Sequence, residues 1–375
     1  MRKSKRIALI TGVSSVAVGM TAAGVSVLSP DGEKRAAVVA APTGTWTHSP
    51  ATATDVNSSL SAITAVPNGD MWAAGAQLAT GKAVVQRLGG GGWSRVQLPA
   101  SLTDLSLTKI SASSPTNVWA AGRPTVSGGS TKVIRWNGTA WQAHSFPLSF
   151  FPGALAAVDA RNVWVGSGSA TTGKRWNGTT WSDTQIGIWT NAFDAVSADD
   201  VWAVGMVRTA DGGARPATAH WNGTSWTTVP FPQIDGIARG EMRPHLTDVH
   251  AVSANDVWAV GSVPVTGADG KVASRSLLAH WDGTRWTNTL GEPGTSLAGI
   301  ESDGAGGFWI RRSRGVMQHR SATGAVTETT LPAPTGRTAE PSTFALRPGT
   351  TTVWAVGRTQ DPVTKTFTAA LWSNG

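Results

Sequence analysis

The stretch PQIDGIARGEMRPH, residues 232–245, gathers Asp235, Arg239, Glu241, Arg243 and His245 into one short segment. Two guanidinium groups four positions apart suit a carboxylate or phosphate, because each planar fork donates two parallel hydrogen bonds. Glu241 and His245 add groups that could trade a proton near neutrality. Arg208, in VRTADGGARP (207–216), and Arg358, in RTQDPVTKT (358–366), carry the same basic character elsewhere in the chain. The ligand-binding candidates are therefore Arg239, Arg243, His245, Glu241, Asp235, Arg208 and Arg358; no catalytic residue and no cofactor is assigned. Metal binding is not expected. His245 and His250 bracket Asp248 in HLTDVH, but on a regular strand a five-residue spacing sends two side chains to opposite faces.

The elements that must position these residues announce themselves through tryptophan. The words GDMWAAG (69–75), TNVWAAG (116–122), RNVWVGS (161–167), DDVWAVG (199–205), NDVWAVG (255–261), GGFWIRR (306–312) and TTVWAVG (351–357) place a tryptophan every 38 to 56 residues. That is the period of a four-stranded propeller blade. β-Branched and aromatic residues between Gly, Asn, Asp and Pro breaks read as strands, with no 3.6-residue periodicity. A second word follows the first: RWNGTAW (135–141), RWNGTTW (175–181), HWNGTSW (220–226) and HWDGTRW (280–286). An Asn-Gly pair between strands predicts a two-residue type I′ turn, which would pair Trp221 with Thr224 and set the two rings as diagonal neighbours. The pairs Trp136/Trp141, Trp176/Trp181, Trp221/Trp226 and Trp281/Trp286 are expected to fill the wedge between adjacent blades. His220, His280 and His319 share one repeat position, so they would point along separate blades and share no ion.

The fold expected is all-β: a seven-bladed β-propeller with four-stranded blades. The chain stops at ALWSNG (370–375), and the complementary GTWTHSP stands at 44–50. Joined, they make one copy of the second word, so residues 45–48 are expected to pair with residues 367–372 and complete the last blade. Such closure leaves no open sheet edge. The domain division is 1–41 as a signal peptide or N-terminal anchor with a short linker, and 42–375 as the propeller.

Residues 1–41 read MRKSKR and then an uncharged, largely apolar segment at 7–28. This pattern predicts export, with a retained membrane anchor as the alternative. The same segment holds six of the 31 basic residues and two of the 23 acidic ones, so half of the net charge of +8 lies there. What is left contains no basic run, and nucleic acid is not an expected partner. The chain has no cysteine, so an exported form must rely on its core rather than on disulfides.

On these motifs the chain resembles secreted bacterial β-propellers built from DVWAVG and WNGTSW repeats, and loosely the kelch and galactose-oxidase-like propellers. The resemblance spans residues 44–375. It implies a fold and says little about function, since many activities sit on propellers. A galactose-oxidase-like copper site needs tyrosine and cysteine, and a sialidase-like site needs a tyrosine nucleophile; the chain has neither residue type. The turns joining first to second and third to fourth strands are short and alike, whereas the opposite face collects the variable loops, where specificity usually resides. The expected function is an exported, monomeric, non-catalytic binding propeller that recognises a protein or glycan on that face. The alternative is a glycan-active hydrolase or lyase using acidic, His or Arg residues of the same face.

Overall fold

Seven four-stranded antiparallel sheets form the body of the molecule in a computed structural model that describes residues 24–28, 34–38, 45–51, 57–240, 242–312 and 315–375. Six sheets are consecutive in sequence. In blade 4 they are Trp189–Ser197, Asp200–Arg208, Ala214–Trp221 and Trp226–Val229, from the axis outward. The seventh sheet joins Thr338–Leu346, Val353–Gln360 and Phe367–Ser373 to Thr47–Pro50. The N-terminal strand thus completes the last blade, with Thr47 opposite Ser373 and Pro50 opposite Ala370. Trp46, 5% exposed, packs edge-on against Trp309 at 5.2 Å between ring centres. Of residues 1–41, only Gly24–Leu28 and Lys34–Val38 are described, as an antiparallel pair; the rest of the apolar segment, residues 7–23, lies outside the described residues.

The first repeat word builds the core. Trp72, Trp119, Trp164 and Trp202 are at most 2% exposed. Each receives the hairpin tryptophans of the following blade: Trp202 meets Trp281 at 5.2 Å and Trp286 at 5.5 Å, and Trp164 meets Trp221 at 4.8 Å and Trp226 at 5.2 Å. The paired rings therefore fill the wedge between sheets. Cross-strand from the repeat tryptophan of blades 1 to 6 stands a cation or imidazole that covers its ring and bonds a residue at or before the start of the same strand. His220 Nε2 lies 2.8 Å from Asp200 with its ring 4.6 Å from that of Trp202, and His280 and His319 do the same with Asp256 and Asp303. In blades 2 and 3 Arg135 and Arg175 take the place of histidine, donating to Asn117 at 3.1 Å and Asn162 at 2.8 Å. The repeat-position histidines are structural members of separate blades.

The glycine that closes the WAVG word is required by a bulge. The innermost strand of blade 4 shifts register between Thr190 and Ala192, which brings the Trp189 carbonyl over Gly205. A Cβ there would sit 1.9 Å from that oxygen. Blade 5 repeats this with Gly261 and the His245 carbonyl at 2.1 Å.

Two expectations about local geometry are corrected. The WNGTSW connection is a four-residue loop rather than a type I′ turn: Trp221 pairs directly with Trp226, and only Gly223 has positive φ, at 91°. The Asn222 side chain decides this by accepting from Thr224 N at 3.1 Å, Ser225 N at 3.0 Å and the Thr224 hydroxyl at 2.8 Å, an Asx turn that holds asparagine at negative φ. In blade 5 Asp282 plays the same part, and the Thr284 hydroxyl with the Arg285 and Thr284 amides holds its carboxyl down at about 2. The second correction concerns His245 and His250. A bulge between Leu246 and Asp248 inserts one residue, so their partners Ser262 and Trp258 are four apart and both histidines lie on one face.

Candidate functional site

The variable-loop face carries a cavity of about 680 Å³ between the hairpin tip of blade 4 and the crossover to blade 5. Three of the sequence-chosen residues, Arg208, Arg239 and Arg243, line it together with Arg215. The crossover is held by backbone pairing: Ile237 bridges Val265, Ala238 N donates to Pro264 O at 2.9 Å, and Thr266 N donates to Gly236 O at 3.0 Å. It thereby continues the inner edge of blade 5 beyond His245, where the innermost strand begins. The cavity shares no lining residue with the central channel, so the crossover builds its own pocket rather than the channel mouth.

Charge within this pocket is only partly neutralised. Arg239 pairs with Asp211, whose carboxyl is held below the usual range by the Thr209 hydroxyl and the Gly213 amide, with Arg239 contributing less. Arg208, Arg215 and Arg243 have no carboxylate partner among the described residues. Arg208 and Arg243 instead converge on one indole: their guanidinium carbons lie 5.4 and 5.9 Å from the ring centre of Trp189, within cation–π range. His245 donates through Nδ1 to the Arg243 carbonyl at 2.7 Å, which steadies the end of the crossover. Asp235 is exposed, accepts from Gln233 at 3.0 Å and does not line the cavity. Arg358 belongs to blade 7, where it pairs with Glu340 at 2.7 Å and lies 3.8 Å over Phe367. Glu241 lies outside the described residues.

Large apolar side chains are also exposed on this face. Leu78, Val126, Val272 and Val363 stand at second-to-third-strand hairpins, and Leu148, Phe151 and Met242 stand on crossovers, each at least 45% exposed. The only other exposed large hydrophobics among the described residues are Val252 and Val326.

The central channel encloses a second cavity, of about 540 Å³, lined by the innermost strands. Asp194, His250 and Glu301, in consecutive blades, face it: His250 Nδ1 lies 3.5 Å from Asp194 and 3.7 Å from Glu301. Asp194 accepts from the Ala195 and Ala251 amides, both at 2.8 Å, and so ties blade 4 to blade 5. Lys109, Asp248 and Arg311 line the same cavity. Sequence reading named His250 and Asp248 only as metal candidates to set aside, and missed Asp194, Glu301, Lys109 and Arg311, which occur in ordinary strand words. Trp189 was missed too, although it and Trp93 are the two tryptophans of 19 that belong to neither repeat word nor to the two chain ends that complete one.

No protein-family model matches the sequence, and no curated protein matches it. Solved structures do. The chain is similar to YCF48 bound to D1 peptide (12% identity, TM-score 0.56, covering 90% of this chain and 99% of that one). It is also similar to the RRP9 WD40 repeats (12%, 0.58, 88% and 99%) and to the WD40 propeller domain of Doa1 (11%, 0.54, 88% and 98%). At these identities the likeness establishes the propeller fold.

Proposed function

We propose that this chain is an exported, non-catalytic interaction propeller whose variable-loop face docks a protein partner through an acidic segment. The observation that carries the proposal is the coincidence on one face of seven exposed apolar side chains with the arginine-lined pocket at Trp189. Guanidinium groups that lack carboxylate partners favour an acidic ligand, and the pocket offers cations and an aromatic ring rather than two opposed carboxylates. The YCF48 structure holds a peptide, which suits a peptide as the ligand of a propeller. Export is read from MRKSKR and the apolar segment after it.

The test is fluorescence polarisation of the full chain with a labelled Glu/Asp-rich peptide carrying Leu and Phe, beside its Lys-rich counterpart and a glycan array. Saturable binding of the acidic peptide, weakened by salt, is expected. Changing Arg208, Arg239 and Arg243 together to alanine should weaken it by at least roughly tenfold, since hydrogen bonds to charged groups contribute about 1.5–3 kcal/mol each. A folded triple variant with unchanged affinity, or binding of glycans alone, would refute the proposal.

A further inference from the structure

Sheet register sorts the charged channel residues into two tiers. Lys109 pairs with Ala121, Asp248 with Val260, and Gly299 with Arg311. Each second-strand partner lies two residues after its repeat tryptophan, so Lys109, Asp248 and Arg311 occupy one tier of blades 2, 5 and 6. Asp194, His250 and Glu301 pair with Trp202, Trp258 and Trp309 and form the tier next to it. In blades 1, 3 and 4 the innermost residue of the first tier is Ala62, Ala154 or Ala192. Blades 4, 5 and 7 carry valine where blade 6 has Arg311. Two cations have thus replaced small residues at one depth of the channel.

Arg311 is the one channel-lining residue drawn from a second strand; every other belongs to an innermost strand or the turn after it. Its cross-strand neighbour Gly299 has no side chain, and a Cβ there would press within 3.1 Å of Phe344 and 3.6 Å of Asp248 Oδ2. Asp248 acts on both cations through its charge, but its hydrogen bonds go to the backbone: Oδ1 accepts from Val249 N and Oδ2 from Ile300 N, both at 3.0 Å, which joins blade 5 to blade 6. Among the described residues Lys109 Nζ has one acceptor, the Asn191 carbonyl at 3.3 Å, and the Arg311 guanidinium has none, with its Nε shielded from solvent. Burial disfavours both charges, and the one carboxylate that acts on both is Asp248; two cations against one carboxylate leave an excess of positive charge that a bound anion would meet. A packing role would be met by the alanine and valine that the other blades use.

We infer that the central channel binds a small organic carboxylate, whose anionic group is held between Lys109 and Arg311. The cavity volume lies in the range of small-molecule sites. Beyond the cations, the tier of Asp194, His250 and Glu301 makes the far end of the cavity polar, which suits an amine or hydroxyl there: an amino acid or a hydroxy acid. This site is independent of the loop-face pocket. Burial raises the Asp248 carboxyl to about 6, against the amides of Ile300 and Val249 and the charge of Lys109. Asp248 therefore loses its charge as pH falls through that value. Burial lowers the pKa of Lys109 and of Arg311 while the charge of Asp248 raises it, so acid favours their charged forms; with Asp194, His250 and Glu301 the other titratable groups facing the cavity, affinity for a carboxylate should rise from pH 7.5 to pH 5.5.

The experiment is calorimetric titration of the full chain with L-glutamate, L-lactate and citrate, with phosphate and chloride at equal ionic strength as controls. Saturable binding of at least one carboxylate at one site per chain, tighter at pH 5.5, is expected. Arg311→Val installs the residue of three other blades and should fold; it and Lys109→Met should each weaken binding at least tenfold. Three results would overturn the inference: no saturable carboxylate binding at either pH, phosphate binding more tightly than every carboxylate, or unchanged affinity in a folded Arg311→Val protein.

Discussion

Trp202→Ala is expected to lower the unfolding free energy by ~3–5 kcal/mol, the usual cost of truncating a large buried aromatic residue. Trp202 is 2% exposed and is the point where blade 4 receives both hairpin tryptophans of blade 5. Its removal also uncovers His220, which stacks on it and anchors Asp200. The space left cannot close by local collapse, because two rigid sheets flank it. Denaturant unfolding followed by tryptophan fluorescence measures the change. A loss under about 1 kcal/mol, within the range of ordinary surface substitutions, would show that the repeated tryptophans do not hold the blades together.

Deleting residues 45–50 should be more damaging still. The deletion removes Trp46 from its contact with Trp309 and strips the outer strand from Phe367–Ser373, breaking the Thr47 to Ser373 pairing that closes the ring. Trp46 alone is a loss of ~3–5 kcal/mol, equivalent to a fall in melting temperature of roughly 10 °C in a large single domain. The bared strand would also template association. Scanning calorimetry together with light scattering should show a lower transition and concentration-dependent oligomers; an unchanged melting curve with a monomeric profile would refute closure by the N-terminal strand.

The blade count and the closure were legible because tryptophan at a fixed period and two complementary chain ends depend only on residue identity. Geometry that hangs on one side-chain hydrogen bond or one inserted residue was not. Asn-Gly suggested a two-residue turn, but the carboxamide of Asn222 captures two amides and a hydroxyl and lengthens the loop. The spacing of His245 and His250 suggested opposite faces, and the bulge at Leu246 and Asp248 reversed it. Arg208, Arg239 and Arg243 were found from loop length and side-chain chemistry, and they do line one cavity. Arg358 was chosen by the same reasoning and sits in another blade with its own carboxylate. Asp248 and His250 were noticed only as a metal question, and the channel set was not assembled because Lys109 and Asp248 come into one tier only through the register of blades three apart.

Hydrogen–deuterium exchange of the full chain, with and without a saturating acidic peptide, tests most directly whether the variable-loop face is the binding face. The peptide should slow exchange at 207–216 and 232–245, around Arg208, Arg239 and Arg243, and leave the opposite face unchanged. Protection confined instead to the Asn-Gly loops at 137–140, 177–180 and 222–225 would place binding on the other side of the propeller and contradict the proposed function.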